Sequence, residues 1–117
     1  YEMKDTMIGK EVSEEITRML VNIMDKSIEG GARKLEHYSI AVKTGTAQIA
    51  NTEGGGYYVG RNMHSFFGYF PAYDPQFIVF LYAVNPKGVP YALQTWISPF
   101  MDITKFLINY YEVPPDR

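Results

Sequence analysis

The sequence predicts an α/β fold of the α+β type, a three-stranded antiparallel meander flanked by an N-terminal and a C-terminal helix. Three observations lead there. Apolar residues recur at helical spacing near both ends of the 117-residue chain. Three stretches between them are rich in aliphatic, β-branched and aromatic side chains. Short glycine- and proline-rich connections join those stretches and leave no room for crossover helices.

The elements follow in order. Residues 1–10 are polar and without pattern, and read as an incoming segment. Ser13 is placed to cap a helix over about 13–29, with Glu14 and Glu15 in its first turn where the helix dipole favours anions. Ile16, Met19, Leu20, Ile23, Met24 and Ile28 would form its core-facing stripe, and Gly30-Gly31 would stop it. A strand is expected over 39–49, followed by a flexible glycine loop over 51–62. That loop precedes no Gly-Lys-Ser/Thr element and no helix, so it is a hairpin connection rather than a phosphate cradle. A second strand over 64–70 and the turn Pro71-Ala72-Tyr73-Asp74-Pro75 lead to a third strand over 76–85. The third strand is apolar on both faces and so is expected to be central and covered by helices. Ser98 and Pro99 read as N-cap and first residue of a last helix over 98–111, closed by Pro114-Pro115. So much apolar surface on three strands calls for further strands beside them, which makes the chain a portion of a larger domain.

Composition narrows the function classes. Hydrophobic residues make up 46% and charged residues 21%, so the chain is globular rather than disordered. A net charge of −2 with no basic stripe gives no nucleic-acid footprint. Without cysteine there is no thiol catalysis, thiolate zinc site or disulfide. His37 and His64 have no third ligand at metal spacing, so neither a metal nor another cofactor is expected. His64 reads as a satisfied strand-end histidine and Glu14-Glu15 as a charged helix start, not a catalytic dyad.

The chemistry concentrates at Lys43-Thr44-Gly45-Thr46. Thr44 and Thr46 put two hydroxyls on one face of the strand, Lys43 puts a cation on the other, and Gly45 lets a ligand approach the backbone. All can serve one ligand only if the site lies along a free strand edge. There the Thr46 N–H would be available to an oxyanion and the Thr46 C=O to a peptide N–H. The alternative is an edge strand that Lys and Thr merely solvate.

Four ordered stretches bear on that choice. Val42-Lys43-Thr44-Gly45-Thr46-Ala47-Gln48 resembles the K-T-G motif of class B penicillin-binding transpeptidases. The stretch from His64 to Phe77, with its aromatic-Gly-aromatic core and Pro-Ala-x-x-Pro turn, resembles the family's next strand pair. The last helix with its tail Asn109–Asp116, and the first helix with Gly30-Gly31-Ala32, resemble the flanking elements. The resemblance implies that residues 1–117 are the C-terminal portion of a transpeptidase domain with a five-stranded sheet. It further implies that Lys43 sets the charge of the active site and contacts the serine of S-x-N, that Thr44 and Thr46 hold the terminal carboxylate of a peptidoglycan stem peptide or a β-lactam, with Gly45 between them, and that the Thr46 N–H is half of an oxyanion hole. Tyr57 and Tyr58 would contact the peptidoglycan strand or pack the loop. The implied partners are the rest of the domain and cell-division or elongation proteins. The implied location is the extracytoplasmic face of a bacterial membrane, reached through an N-terminal anchor outside this sequence.

Two departures qualify this. None of Ser13, Ser27, Ser39, Ser65 and Ser98 begins an S-x-x-K or S-x-N motif, so the acylated serine and its partners are absent and the chain alone is expected to be inactive. Where the family often carries Gly-Gly before the last helix, this chain has Leu93-Gln94. A β-lactamase or D,D-carboxypeptidase of the same fold, and a non-enzymatic β-lactam sensor or structural domain, remain as alternatives.

Overall fold

The computed structural model describes residues 6–117. Residues 1–5, part of the expected incoming segment, lie outside them. The elements are helix α1 (Lys10–Asn22), strands β1 (Ala41–Ala50), β2 (Tyr57–Phe70) and β3 (Phe77–Val84), and helix α2 (Ala92–Tyr110). The sheet is an antiparallel meander in the order β1-β2-β3.

Helix α1 starts three residues before the expected Ser13. Gly9 is its N-cap, and the Ser13 N–H makes the first intrahelical bond, to the Gly9 carbonyl at 3.0 Å. No side chain caps it. Past Asn22 the helix widens into a π turn (Ile23–Ser27), where the Ile28 N–H reaches the Ile23 carbonyl, and then tightens into a 3-10 turn (Ile28–Gly31). Gly30 and Gly31 both have positive φ, and a side chain at Gly31 would run into the Asp25 carbonyl. Of the expected stripe, Met24 and Ile28 are buried and Leu20 and Ile23 pack half-buried against the core, while Thr17 and Val21 join them. Ile16 and Met19, expected in the core, are exposed along with Val12. Apolar spacing alone does not distinguish a face covered by this chain from one that it leaves open.

The sheet has two unlike faces. Register places Val42, Thr44 and Thr46 beside His64, Phe66, Gly68 and Phe70, and beside Phe77, Val79 and Leu81. This inner face lies under α2. Phe66, Phe70, Ile40 and Val42 are fully buried there with Phe100, and Met24 and Ile28 join the same core. The other face carries Ala41, Lys43 and Gly45 beside Tyr69, Phe67 and Ser65, then Ile78, Phe80 and Tyr82. Helix α1 covers only one end of it. Val21 packs with Ala41 and Ala72, and the Thr17 hydroxyl meets the Tyr69 hydroxyl at 2.7 Å.

Strand β3 therefore differs from its expected central place. It is an edge strand, and its outer row is open, with Ile78 70% and Phe80 59% exposed. Its two-sided apolar character fits a strand whose second face nothing in these residues covers. The Cα radius of gyration, 16.3 Å, exceeds the roughly 13 Å of a compact domain of this length.

Strand β2 begins at Tyr57, not at His64, so the expected flexible loop shrinks to residues 51–56. Asn51 closes that turn. Its N–H donates to the Gly56 carbonyl at 2.9 Å, and its Oδ1 accepts from the Glu53 and Gly54 N–H groups. The expected hairpin connection is present, shorter than expected, with Gly55 and Gly56 at positive φ in its turn.

Helix α2 begins at Ala92, six residues before the expected Ser98. Pro99 is inside the helix, where it withholds an N–H from the ladder. Its ring lies on the exposed side, while Ala92, Ile97, Phe100, Met101, Thr104 and Ile108 are buried. Burial of that stripe outweighs the break in the ladder. Beyond α2, Val113 is buried, and the Tyr38 hydroxyl donates to its carbonyl at 2.9 Å. Asp116 accepts from the Ser39 N–H at 2.7 Å and from the Ser39 hydroxyl. Arg117 pairs with Asp25, and that hydrogen bond holds the guanidinium above its ordinary pKa.

Candidate functional site

Lys43, Thr44, Gly45 and Thr46 lie in the middle of β1 and face Phe67, Phe66, Ser65 and His64 of β2. Backbone polar groups alternate in direction along a strand. The Ser39 carbonyl accepts from the Ala72 N–H, and the Gly45 carbonyl is approached by Ser65 Oγ, so odd-numbered residues turn toward β2. Thr44 and Thr46 accordingly present N–H and C=O along the outer edge, where no described strand pairs with them.

Lys43 projects to the face opposite the threonines, but its Nζ bends back to the Thr44 carbonyl at 2.6 Å. The cation is thereby brought to the edge that carries both threonine backbones. Gly45 sits against Ser65, whose Oγ would be 2.5 Å from a Cβ at that position. Lys43 and Thr46 are exposed, and Thr44 and Gly45 are half-buried. The four residues make an open wall bearing a cation, two hydroxyls and outward N–H groups. Such a wall suits a carboxylate-bearing ligand lying along the strand.

One neighbour of the wall was not legible in the sequence. The first turn of α2 stands over Thr46, and the Ala92 N–H donates to Thr46 Oγ1 at 3.1 Å. His64, opposite Thr46, is 1% exposed. Its Nδ1 meets the Thr95 hydroxyl at 2.8 Å, and its carbonyl accepts from Trp96 Nε1 at 3.1 Å. The histidine is thus buried beneath α2 rather than set at a strand end, because β2 runs seven residues further back than expected. The stronger Ser-Pro helix-start signal at Ser98 hid the true start. Tyr57 is exposed at the beginning of β2, and the Tyr58 ring stacks with the Arg61 guanidinium at 4.5 Å. Among the described residues no cluster of three or more His, Asp or Glu side chains is placed to hold a metal ion.

The K-T-G strand lies on the outer edge of an antiparallel sheet and packs under α2, and comparison with known proteins gives the class. The sequence profile described as "Penicillin binding protein transpeptidase domain" matches residues 2–96. Stage V sporulation protein D of Bacillus subtilis is 36% identical over 87 residues, covering 73% of this chain and 13% of that protein. Peptidoglycan D,D-transpeptidase FtsI of Buchnera aphidicola (Schizaphis graminum) is 32% identical over 91 residues, covering 76% of this chain and 16% of that protein. In fold, the chain superimposes on apo penicillin-binding protein 3 from Mycobacterium tuberculosis with a TM-score of 0.75 at 22% identity, over 94% of this chain and 26% of that one.

The chain belongs to the penicillin-binding protein transpeptidase domain family. It spans 13–16% of the length of these two curated relatives.

Proposed function

We propose that Lys43–Thr46 is the substrate-binding wall of a serine D,D-transpeptidase that cross-links peptidoglycan. The observation that carries this reading is the outer edge of β1, where the Thr44 and Thr46 backbones face outward with Lys43 Nζ beside them. Thr44 and Thr46 hydroxyls grip the terminal carboxylate of the stem peptide, or that of a β-lactam. Lys43 supplies positive potential. The Thr46 N–H donates to the oxygen that becomes negative when the carbonyl is attacked.

The reaction is completed by groups outside these 117 residues. A serine hydroxyl adds to the penultimate D-Ala carbonyl, and its proton passes through a base to the departing D-Ala amine. An amine of a neighbouring stem then attacks the resulting ester, forms the new amide and returns the proton to the serine. Neither S-x-x-K nor S-x-N occurs in this sequence, so the chain supplies binding and oxyanion stabilisation but not the nucleophile. The open face of Phe80 and Ile78, and the ~580 Å³ cavity beside it lined by Thr17, Phe67, Tyr69 and Ile78, suit the packing of the remaining domain. No helix among the described residues is long and apolar enough to cross a membrane. Placement at the extracytoplasmic membrane face, and association with division or elongation proteins, follow from the family reading and belong to this proposal.

Fluorescent penicillin followed by a denaturing gel tests it. The full-length polypeptide that carries this chain should take a covalent label, and residues 1–117 alone should take none. A label on residues 1–117 would contradict the division of labour. No label on the folded full-length polypeptide would favour a non-catalytic role.

A further inference from the structure

Three hydrogen bonds tie the start of α2 to the strands beneath it: Ala92 N–H to Thr46 Oγ1, Thr95 Oγ1 with His64 Nδ1, and Trp96 Nε1–H to the His64 carbonyl. Ala92, Thr95 and Trp96 are spaced i, i+3 and i+4, so they share one helix face. Thr46 and His64 are register partners on adjacent strands. The helix is therefore clasped to the proposed carboxylate-binding threonine and to the residue beside it. His64 Nε2 is buried and meets no hydrogen-bond partner among the described residues, so the ring has one anchoring nitrogen, and Thr95 holds it.

The direction of the first bond matters. A backbone N–H only donates, so Thr46 Oγ1 is the acceptor toward Ala92. With a lone pair committed to the helix, the hydroxyl proton points away from Ala92, and Thr46 is an exposed residue. A carboxylate accepts hydrogen bonds and donates none. A threonine held this way meets a carboxylate already oriented as a donor.

We propose that the Ala92 N–H presets the Thr46 hydroxyl as a carboxylate donor, and that His64 and Thr95 are positioning residues that hold the start of α2 where it does so. The inference rests on the carboxylate-wall reading of Lys43–Thr46.

The test compares a penicillin with its methyl ester, which has the same ring but no carboxylate. Acylation of the full-length polypeptide is resolved into its binding and chemical steps. Ala92→Pro removes the N–H at the first helical position, which tolerates proline. Tyr91, at φ −127° and ψ 144°, already has the extended backbone that a residue before proline adopts. Binding of the penicillin should weaken by roughly two- to tenfold, within what one neutral hydrogen bond contributes and less than removal of the Thr46 hydroxyl itself, while the ester and the chemical step are unchanged. Thr95→Val should weaken penicillin binding in the same selective way, and Thr95→Ser should restore it. This second pair decides the matter if Ala92→Pro does not fold. Equal losses for acid and ester, or no loss in either variant, would overturn the inference. A wild-type protein that does not distinguish acid from ester would instead overturn the carboxylate reading beneath it.

Discussion

The Phe100 ring rests where a side chain on Gly68 would be. A Cβ at Gly68 would collide with the far end of that ring, which also packs on Phe66 at a centroid distance of 4.7 Å. The aromatic-Gly-aromatic pattern of β2 thus has a tertiary cause. The glycine lets α2 approach the central strand closely enough for its first turn to reach Thr46.

Gly68→Ala should therefore cost about 1–3 kcal/mol of stability through overpacking. Phe100→Leu added to it should cost less than the sum of the two single changes, because the clash is shared. Denaturant midpoints of the two single variants and the double variant check this. Strict additivity would mean that the ring and the glycine are not in contact.

Asp116 supplies acceptors to both the N–H and the hydroxyl of Ser39, which is 2% exposed just before β1. Asp116→Ala should destabilise by about 1–3 kcal/mol, since it strands two buried donors. Ser39→Ala should cost less, because the backbone bond survives. If Asp116→Ala leaves the denaturant midpoint unchanged, the tail does not anchor β1.

The open row Ile78, Phe80 and Tyr82 should make residues 1–117 self-associate on their own, as uncovered apolar surface and a free sheet edge do. Ile78→Lys with Phe80→Glu should shift the chain toward monomer in sedimentation. A wild-type monomer with a melt independent of concentration would contradict this.

Much of this was legible in the residues. The K-T-G strand, the meander and the helix at either end follow from short-range patterns: apolar period, turn residues and the four ordered motif stretches. Two things were not. Ser98-Pro99 is a stronger local helix start than Tyr91-Ala92, yet burial of Ala92 and Ile97 carries α2 through Pro99, so the cap over Thr46 and the burial of His64 stayed hidden. The apolar row of β3 and Ile16 of α1 looked like core because hydrophobicity records that a surface is to be covered, not which residues cover it.

The most direct measurement of the central claim is the second-order rate constant for acylation of the full-length polypeptide by a penicillin, with Thr44→Val and Thr46→Val. Each variant should lose roughly tenfold or more, as expected for a lost hydrogen bond to a charged group, and the methyl ester should react nearly as with wild type. A Thr44→Val/Thr46→Val double variant that acylates at the wild-type rate would show that this wall does not hold the carboxylate.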